Sequence, residues 1–234
     1  MSVFKFKQFN VNHEFSAAKV GTDGVLTGAW APFPENCKNA LDIGSGTGII
    51  ALMLAQRHDS VEITGVEKDY ESWKECCQNF NNSPWQHRLQ AVNSSIENFN
   101  TQIKFDLIVS NPPFHTESTL SPNLRRDMAR SASHLSFSKL VKKVETLLSK
   151  QGFFVIIFPY SSKEENLKTA MENQLFPQQI LNIKGTPSTN YKRCLIRFGR
   201  KQVEMIEENL VIEKERHHYT EEFRHLVKDF YLKM

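Results

Sequence analysis

Apolar residues along this chain follow two alternating rhythms, short unbroken runs and stripes at helical spacing. Ala40 to Ile43 predicts a short strand, followed by a glycine-rich turn and a helix over Ile49–Arg57. Val61 to Val66 is the next run. Asp69 then opens a helix whose apolar positions Tyr70, Trp73, Cys77 and Phe80 recur at helical spacing. Leu89–Val92 and Phe105–Ser110 continue the strand series, the latter apolar enough for a central parallel strand. Ser136 is placed to cap a helix striped with Phe137, Leu140, Val141, Val144, Leu147 and Leu148, with Gly152 as its stop. Phe153–Phe158 predicts a buried strand. A polar helix, strands at Gln178–Ile183 and Arg193–Phe198 and an amphipathic helix over Thr220–Leu232 complete the series. Strands alternating with helices over this length predict a doubly wound α/β sheet with helices on both faces.

Composition narrows the class. The 234 residues suit one domain, and the 40% hydrophobic and 24% charged shares are those of an ordinary globular protein. The expected layout is an N-terminal covering segment (1–39), a core (40–200) and a C-terminal extension ending in a helix (201–234). The longest apolar runs fall well short of a membrane span, and the N-terminus alternates Lys and Phe where a signal peptide would be apolar, so a cytoplasmic location is expected. Four cysteines form no C-x-x-C pair and eight histidines show no ligand spacing, so no metal is expected. No obligatory protein partner is evident either.

The net charge of +3 matters less than its distribution. Lys184, Lys192, Arg193, Arg197, Arg200 and Lys201 fall in one stretch without an acid, and Arg125, Arg126 and Arg130 form a second cluster. Such runs serve either as a solvated face or as a landing surface for a polyanion. On the second reading, Arg125, Arg126, Arg130, Lys192, Arg193 and Arg197 hold that polyanion.

Two motifs carry chemistry. The first is Asp42-Ile43-Gly44-Ser45-Gly46-Thr47-Gly48, between strand and helix, where glycines let a ligand approach the backbone. The dinucleotide fingerprint would need glycine at Ile49, and no phosphate loop occurs elsewhere. An acid beside the loop suits a sulfonium or an amine better than a pyrophosphate. Glu67, ending the next strand, is placed to accept from ribose hydroxyls.

The second motif is Asn111-Pro112-Pro113-Phe114, directly after the strand Phe105–Ser110. One reading is a plain turn, since Asn-Pro starts turns. Two prolines, however, stiffen the chain and remove two amide donors, leaving acceptors and a fixed ring. The Asn111 side-chain oxygen and the Pro112 carbonyl can accept both hydrogens of an exocyclic amine, freeing its lone pair for an electrophile, while Phe114 stacks on the flat substrate. His115 and His134 lie near and read as rim or cap residues.

These residues resemble the class I methyltransferases that use S-adenosylmethionine, over about Val20 to Phe198. The resemblance implies a Rossmann-like seven-stranded sheet. It also implies that Asp42, Gly44, Gly46 and Gly48 line the methionine part of the cofactor while Glu67 holds the ribose, with Ser45 among the cofactor-binding residues. Ser95, standing where relatives often carry Asp, would meet the adenine together with Ile96. Asn111-Pro112-Pro113-Phe114 matches the signature of amino-group methyltransferases, whose targets are adenine N6, cytosine N4, guanine N2 or glutamine. Lys19 to Trp30, reading from its polar Gly21-Thr22-Asp23-Gly24 turn as a loop over the cofactor, is similar to the corresponding segment of the bacterial tRNA adenine-N6 methyltransferases acting beside the anticodon of a valine tRNA. Ser83-Pro84-Trp85 and Phe230 to Met234 resemble that family too. Thr22, Asp23 and Asn111 would then join the cofactor site, with tRNA as substrate. A glutamine methyltransferase is the principal alternative, a guanine-N2 RNA methyltransferase another, and a catalytically silent cofactor-binding RNA module a third. The glutamine enzymes carry a helical domain before the glycine loop, whereas the 41 residues before Asp42 read as strands and loops.

Overall fold

A computed structural model of the protein describes residues 2–16, 19–112 and 135–233. Its centre is an eight-stranded sheet built from β3 (Asn39–Ile43), β4 (Glu62–Glu67), β5 (Leu89–Asn93), β6 (Phe105–Ser110), β7 (Leu148–Pro159), β8 (Phe176–Lys184), β9 (Arg193–Gly199) and β10 (Ile206–Val211). They lie in the order β10-β8-β9-β7-β6-β3-β4-β5, all parallel except β9. The chain reverses direction across the sheet between β3 and β6, so the carboxyl ends of those two strands flank the crevice where such sheets bind ligands. Both predicted motifs sit there, the glycine loop after β3 and Asn111 after β6.

Helices cover both faces. Against one lie α1 (Thr22–Trp30), α2 (Ile49–Arg57), α3 (Tyr70–Asn81) and α6 (Glu221–Val227), joined by the N-terminal hairpin β1 (Val3–Lys5) and β2 (Asn10–Asn12). Against the other lie α4 (Phe137–Leu147) and α5 (Lys163–Glu172). A further small hairpin, β11 (Glu213–Glu215) with β12 (His218–Tyr219), precedes α6. Among the described residues no helix is long and apolar enough to cross a membrane.

The structure departs from the sequence expectations in several places. An eighth strand, β10, extends the sheet beyond residue 200, pairing in parallel with β8 from Ile206↔Gln179 to Val211↔Lys184. It sits at the sheet edge with only Leu210 buried, so it lacks the apolar run that marks inner strands. Residues 22–30, expected as a loop, form α1. Gly24 and Gly28 weaken its helical signal but let it press on α2, where a side-chain carbon at Gly28 would stand 2.8 Å from Met53.

Gly152 does not end α4, which stops at Leu147 and passes straight into β7. A side-chain carbon at Gly152 would lie 2.9 Å from the Phe105 carbonyl, so glycine there admits the neighbouring strand. The last helix spans only Glu221–Val227, capped by the Thr220 hydroxyl. Beyond it Tyr231 bridges to Phe6 and the Phe230 carbonyl accepts from Lys7 N at 2.8 Å.

Candidate active site

The glycine loop is built on left-handed backbone. Gly44, Gly46 and Gly48 have φ of +70°, +54° and +81°, a region other residues enter only with strain. The amides of Gly44 and Ser45 both donate to the Val66 carbonyl, at 2.9 and 3.2 Å, which hangs the turn on the end of β4. Gly48 begins α2, and a side-chain carbon there would lie 2.5 Å from the Phe80 ring and 2.8 Å from Cys76 Sγ. No larger residue fits.

Two carboxylates fix this loop. Glu67, nearly buried at the end of β4, accepts from Gly46 N at 2.9 Å through one oxygen and from Asp69 N at 2.8 Å through the other. Asp42 is completely buried beneath the loop. One oxygen accepts from Ala51 N at 3.2 Å, while Oδ1 is buried without a partner among the described residues. Burial pushes its pKa up to about 7, Ala51 N–H opposes the rise and the nearby Glu67 carboxylate adds to it.

A cavity of about 400 Å³ opens beside the loop. Its walls include Gly44, Ser45 and Gly46 from the loop, Thr22 and Asp23 from the first turn of α1, and Asn111 from the end of β6. That turn carries no side-chain cap among the described residues, and the amides of a helix's first turn attract anionic groups. The cavity therefore combines anion-attracting amides with an acceptor-rich rim.

Asn111, in the cavity wall, and Pro112 after it are both half-buried, and Ser110 just before them donates its hydroxyl to the Ile43 carbonyl at 2.9 Å, tying β6 to β3. Pro113, Phe114, His115, Arg125, Arg126, Arg130 and His134 lie outside the described residues. Ser95 follows β5 on the same side of the sheet. Its hydroxyl accepts from Asn98 N at 3.3 Å and caps a turn, and Ile96 beside it is buried in the core.

The basic stretch after residue 184 divides by position. Lys192 is exposed beside the active-site end of the sheet. Arg193, opposite Pro159, donates from Nε to Asp23 at 2.8 Å, so its charge braces the cavity wall. Arg197 lies opposite Val155, half-buried with its guanidinium 4.8 Å from the Phe153 ring centre. Arg200 is held by the Glu145 side chain and the Glu145 and Leu148 carbonyls. Proximity in sequence therefore does not make these residues one patch. Among the described residues no cluster of His, Cys, Asp and Glu could hold a metal ion.

One supporting element was invisible in the sequence. The buried face of α3 is Ser72, Glu75, Cys76, Asn79 and Phe80, whereas Tyr70 is exposed and Trp73 and Cys77 only half-buried. The Glu75 carboxylate accepts from the amides of Glu14, Phe15 and Ser16 and from the Ser16 hydroxyl, and these bonds hold its pKa below the usual range against the opposing effect of burial. Asn79 pairs with both backbone groups of Asn12 and donates to the Thr47 carbonyl at 2.8 Å. The N-terminal segment leading to Lys19 at the cavity rim is thus strapped to the helix behind the glycine loop. Glu75 and Asn79 sit one turn apart, the only sequence signal they give.

Glu67 sets both the loop's shape and the acidity of its edge. Glu67→Ala should weaken S-adenosylmethionine binding by about 1–3 kcal/mol, as for lost charged hydrogen bonds. Titration calorimetry checks this, and unchanged affinity would remove Glu67 from the cofactor site.

Comparison with known proteins agrees with this geometry. A family model described as "Methyltransferase small domain" matches residues 30–139. A tRNA1(Val) (adenine(37)-N6)-methyltransferase of Flavobacterium psychrophilum is 44% identical, covering 99% of this chain and 100% of that one. Its counterpart in Bacteroides fragilis is 41% identical, covering 99% and 98%. Among solved structures, a predicted O-methyltransferase from Agrobacterium tumefaciens superposes with TM-score 0.70 over 89% of this chain and 96% of that one, at 15% identity. TYW2 of Pyrococcus horikoshii in complex with MeSAdo superposes with TM-score 0.61 over 86% and 72%, at 13% identity. Those two likenesses concern the fold.

The cofactor is S-adenosylmethionine, and the residues present fit it. The left-handed Gly44 and Gly46 leave open space against the backbone, the Asp42 oxygen unpartnered among the described residues supplies negative character below the loop, and Glu67 stands at the next strand end. With relatives this similar over nearly their whole length, the chain belongs to the tRNA1(Val) (adenine(37)-N6)-methyltransferase family of class I methyltransferases.

Proposed function

We propose that this protein methylates the exocyclic N6 of an adenosine in tRNA, the one immediately 3′ of the anticodon of a valine tRNA. The observation that carries the reading is the meeting of Asn111 and the glycine loop at one cavity, after the two strands where the sheet reverses. The family relationship supplies the substrate.

S-adenosylmethionine supplies an electrophilic methyl group on a sulfonium. The protein's own part is to place and prepare the amine. An adenine amino group is a weak nucleophile because its lone pair is delocalised into the ring. Acceptance of its two hydrogens by Asn111 Oδ1 and the Pro112 carbonyl favours a pyramidal nitrogen whose lone pair aims at the methyl group. Positive charge growing on nitrogen meets these same acceptors, which bind it more tightly than the neutral amine. Anticodon-loop adenosines unstack at little cost, so such a base reaches the crevice readily. Lys192, with Arg125, Arg126 and Arg130, would meet phosphates, Arg193 would brace Asp23, and Ser95 and Ile96 would flank the cofactor's adenine. Pro113 and Phe114, outside the described residues, would add a second rigid ring and an aromatic face for the flat base.

The test is nucleoside mass spectrometry after incubating valine tRNA with enzyme and labelled cofactor. The expected product is N6-methyladenosine. Guanosine at the target position should abolish incorporation, because its six-position oxygen carries no hydrogens. A glutamine-bearing peptide and duplex DNA should stay unlabelled. Label on glutamine would transfer the case to the protein-methylating alternative, and label on guanine N2 would overturn the base assignment while keeping the fold.

A further inference from the structure

The chain leaves the sheet beside the active site at two tyrosines. Tyr160 follows β7 directly and Tyr191 lies two residues before β9, and Tyr160 N donates to the Lys192 carbonyl at 3.1 Å. Their rings pack at 5.1 Å between centroids, tilted by 33°, and both are half-buried. The ring pair lies at the carboxyl ends of the parallel strands, since Pro159 pairs with Arg193 there. Arg193 in turn reaches Asp23 in the cavity wall. The pair is therefore one ion pair away from the cofactor cavity.

The two rings differ in what lies over them. Tyr160 faces Lys163, whose ammonium stands 5.4 Å from its centre, and Lys163 is buried and paired with Glu207 at 2.5 Å. That side is closed by fixed structure. Tyr191 instead has Lys184 at 5.6 Å, a half-buried lysine whose ammonium donates to the Pro187 carbonyl at 2.8 Å. A half-buried ring whose face already holds a cation can take another planar or cationic group in its place. Around it the chain from Pro187 to Asn190 is exposed, as is Lys192, and residues 184–201 contain no acid.

We infer that Tyr191, backed by Tyr160, is a stacking platform for an unstacked base neighbouring the target adenosine, with Lys184 and Lys192 taking the adjoining phosphates. The inference rests on the RNA substrate proposed above. An aromatic face flanked by cations, beside a site that must receive a base from a single-stranded loop, is the arrangement that binds such nucleotides without reading their sequence. As the base settles on Tyr191, the Lys184 ammonium moves from the ring to phosphate.

Stacking and charge leave different signatures, which makes the inference testable. Binding of a valine tRNA transcript is measured by fluorescence anisotropy over a series of salt concentrations, together with methyl transfer and cofactor affinity. Tyr191→Leu should weaken RNA binding about ten- to a hundredfold. It should raise the KM for RNA in parallel and leave the salt slope, the cofactor affinity and kcat at saturating RNA close to wild type. Tyr191→Phe should bind within about twofold of wild type, because the ring and not the hydroxyl is used. Lys184→Ala should instead flatten the salt slope by roughly 0.7–0.9. Tyr191→Leu binding RNA as tightly as wild type would overturn the platform, as would equal losses of RNA and cofactor affinity, which would make the ring a structural prop. Wild-type protein that methylates tRNA while Tyr191→Leu behaves normally rejects the platform alone. Wild-type protein that neither binds nor methylates RNA rejects the substrate reading and the platform with it.

Discussion

Asn111→Ala should cut single-turnover methyl transfer by about a hundred- to a thousandfold, the usual cost of removing one preorganised hydrogen-bonding group from a transition state. Cofactor affinity should stay within a few-fold of wild type, because Asn111 is one of several groups on the cavity wall and the glycine loop rests on Val66 and Glu67 instead. RNA affinity should likewise hold, since neither phosphates nor stacking depend on this amide. A drop confined to the chemical step is what an interaction made chiefly in the transition state gives. Asn111→Asp, which keeps an acceptor oxygen, should recover part of the lost rate. Turnover of Asn111→Ala within about fivefold of wild type would mean that acceptance by the side chain does not activate the amine.

The second large effect concerns Asp42. Its folded-state pKa of about 7 stands above the ordinary 3.8, so the native state holds the proton more tightly than the unfolded chain. This carboxyl's contribution to stability is complete below its ordinary value and is lost as pH rises through about 7. At pH 8 the folded protein carries a buried anion with one unpartnered oxygen. Asp42→Asn has nearly the same shape, can still accept from Ala51 N and removes that charge. The cofactor-free variant should therefore be more stable than wild type at pH 8, by about 1–4 kcal/mol, the upper figure being the whole shift converted to free energy. The difference should narrow progressively towards pH 4, where both side chains are neutral when folded. Cofactor binding should weaken, since the negative character below the loop is gone. Denaturant melts across this pH range read the first effect and calorimetry the second. Equal stability at pH 8 would show that Asp42 is ionised there without penalty.

The features legible in the sequence were those whose chemistry is local. Glycines needing positive φ, a proline-stiffened acceptor at a strand end and an acid after the next strand each depend on a few adjacent residues. The inner strands were legible too, because a strand buried on both faces must be apolar along its length. What escaped depends on partners distant in sequence. Gly24 and Gly28 read as loop until α2 is seen pressed against them. Glu207 and Glu208 in β10 hide a strand whose pairing comes wholly from β8. The apolar residues of α3 suggested one face, yet Glu75 and Asn79 are buried because the N-terminal segment brings backbone amides and carbonyls to satisfy them. Arg193 looked like one more cation in a basic run, and only the fold brings Asp23, 170 positions away, to its guanidinium.

The closure of Phe6 onto Tyr231 has a temporal consequence for a chain made from its N-terminus. The first hairpin emerges from the ribosome early, but its aromatic faces find part of their shelter only once residues 230 and 231 have been made. Contacts of such long sequence separation are also slow to form. The hairpin and the strap that follows it on α3 are then expected to dock late in folding, once residues 230 and 231 are in place.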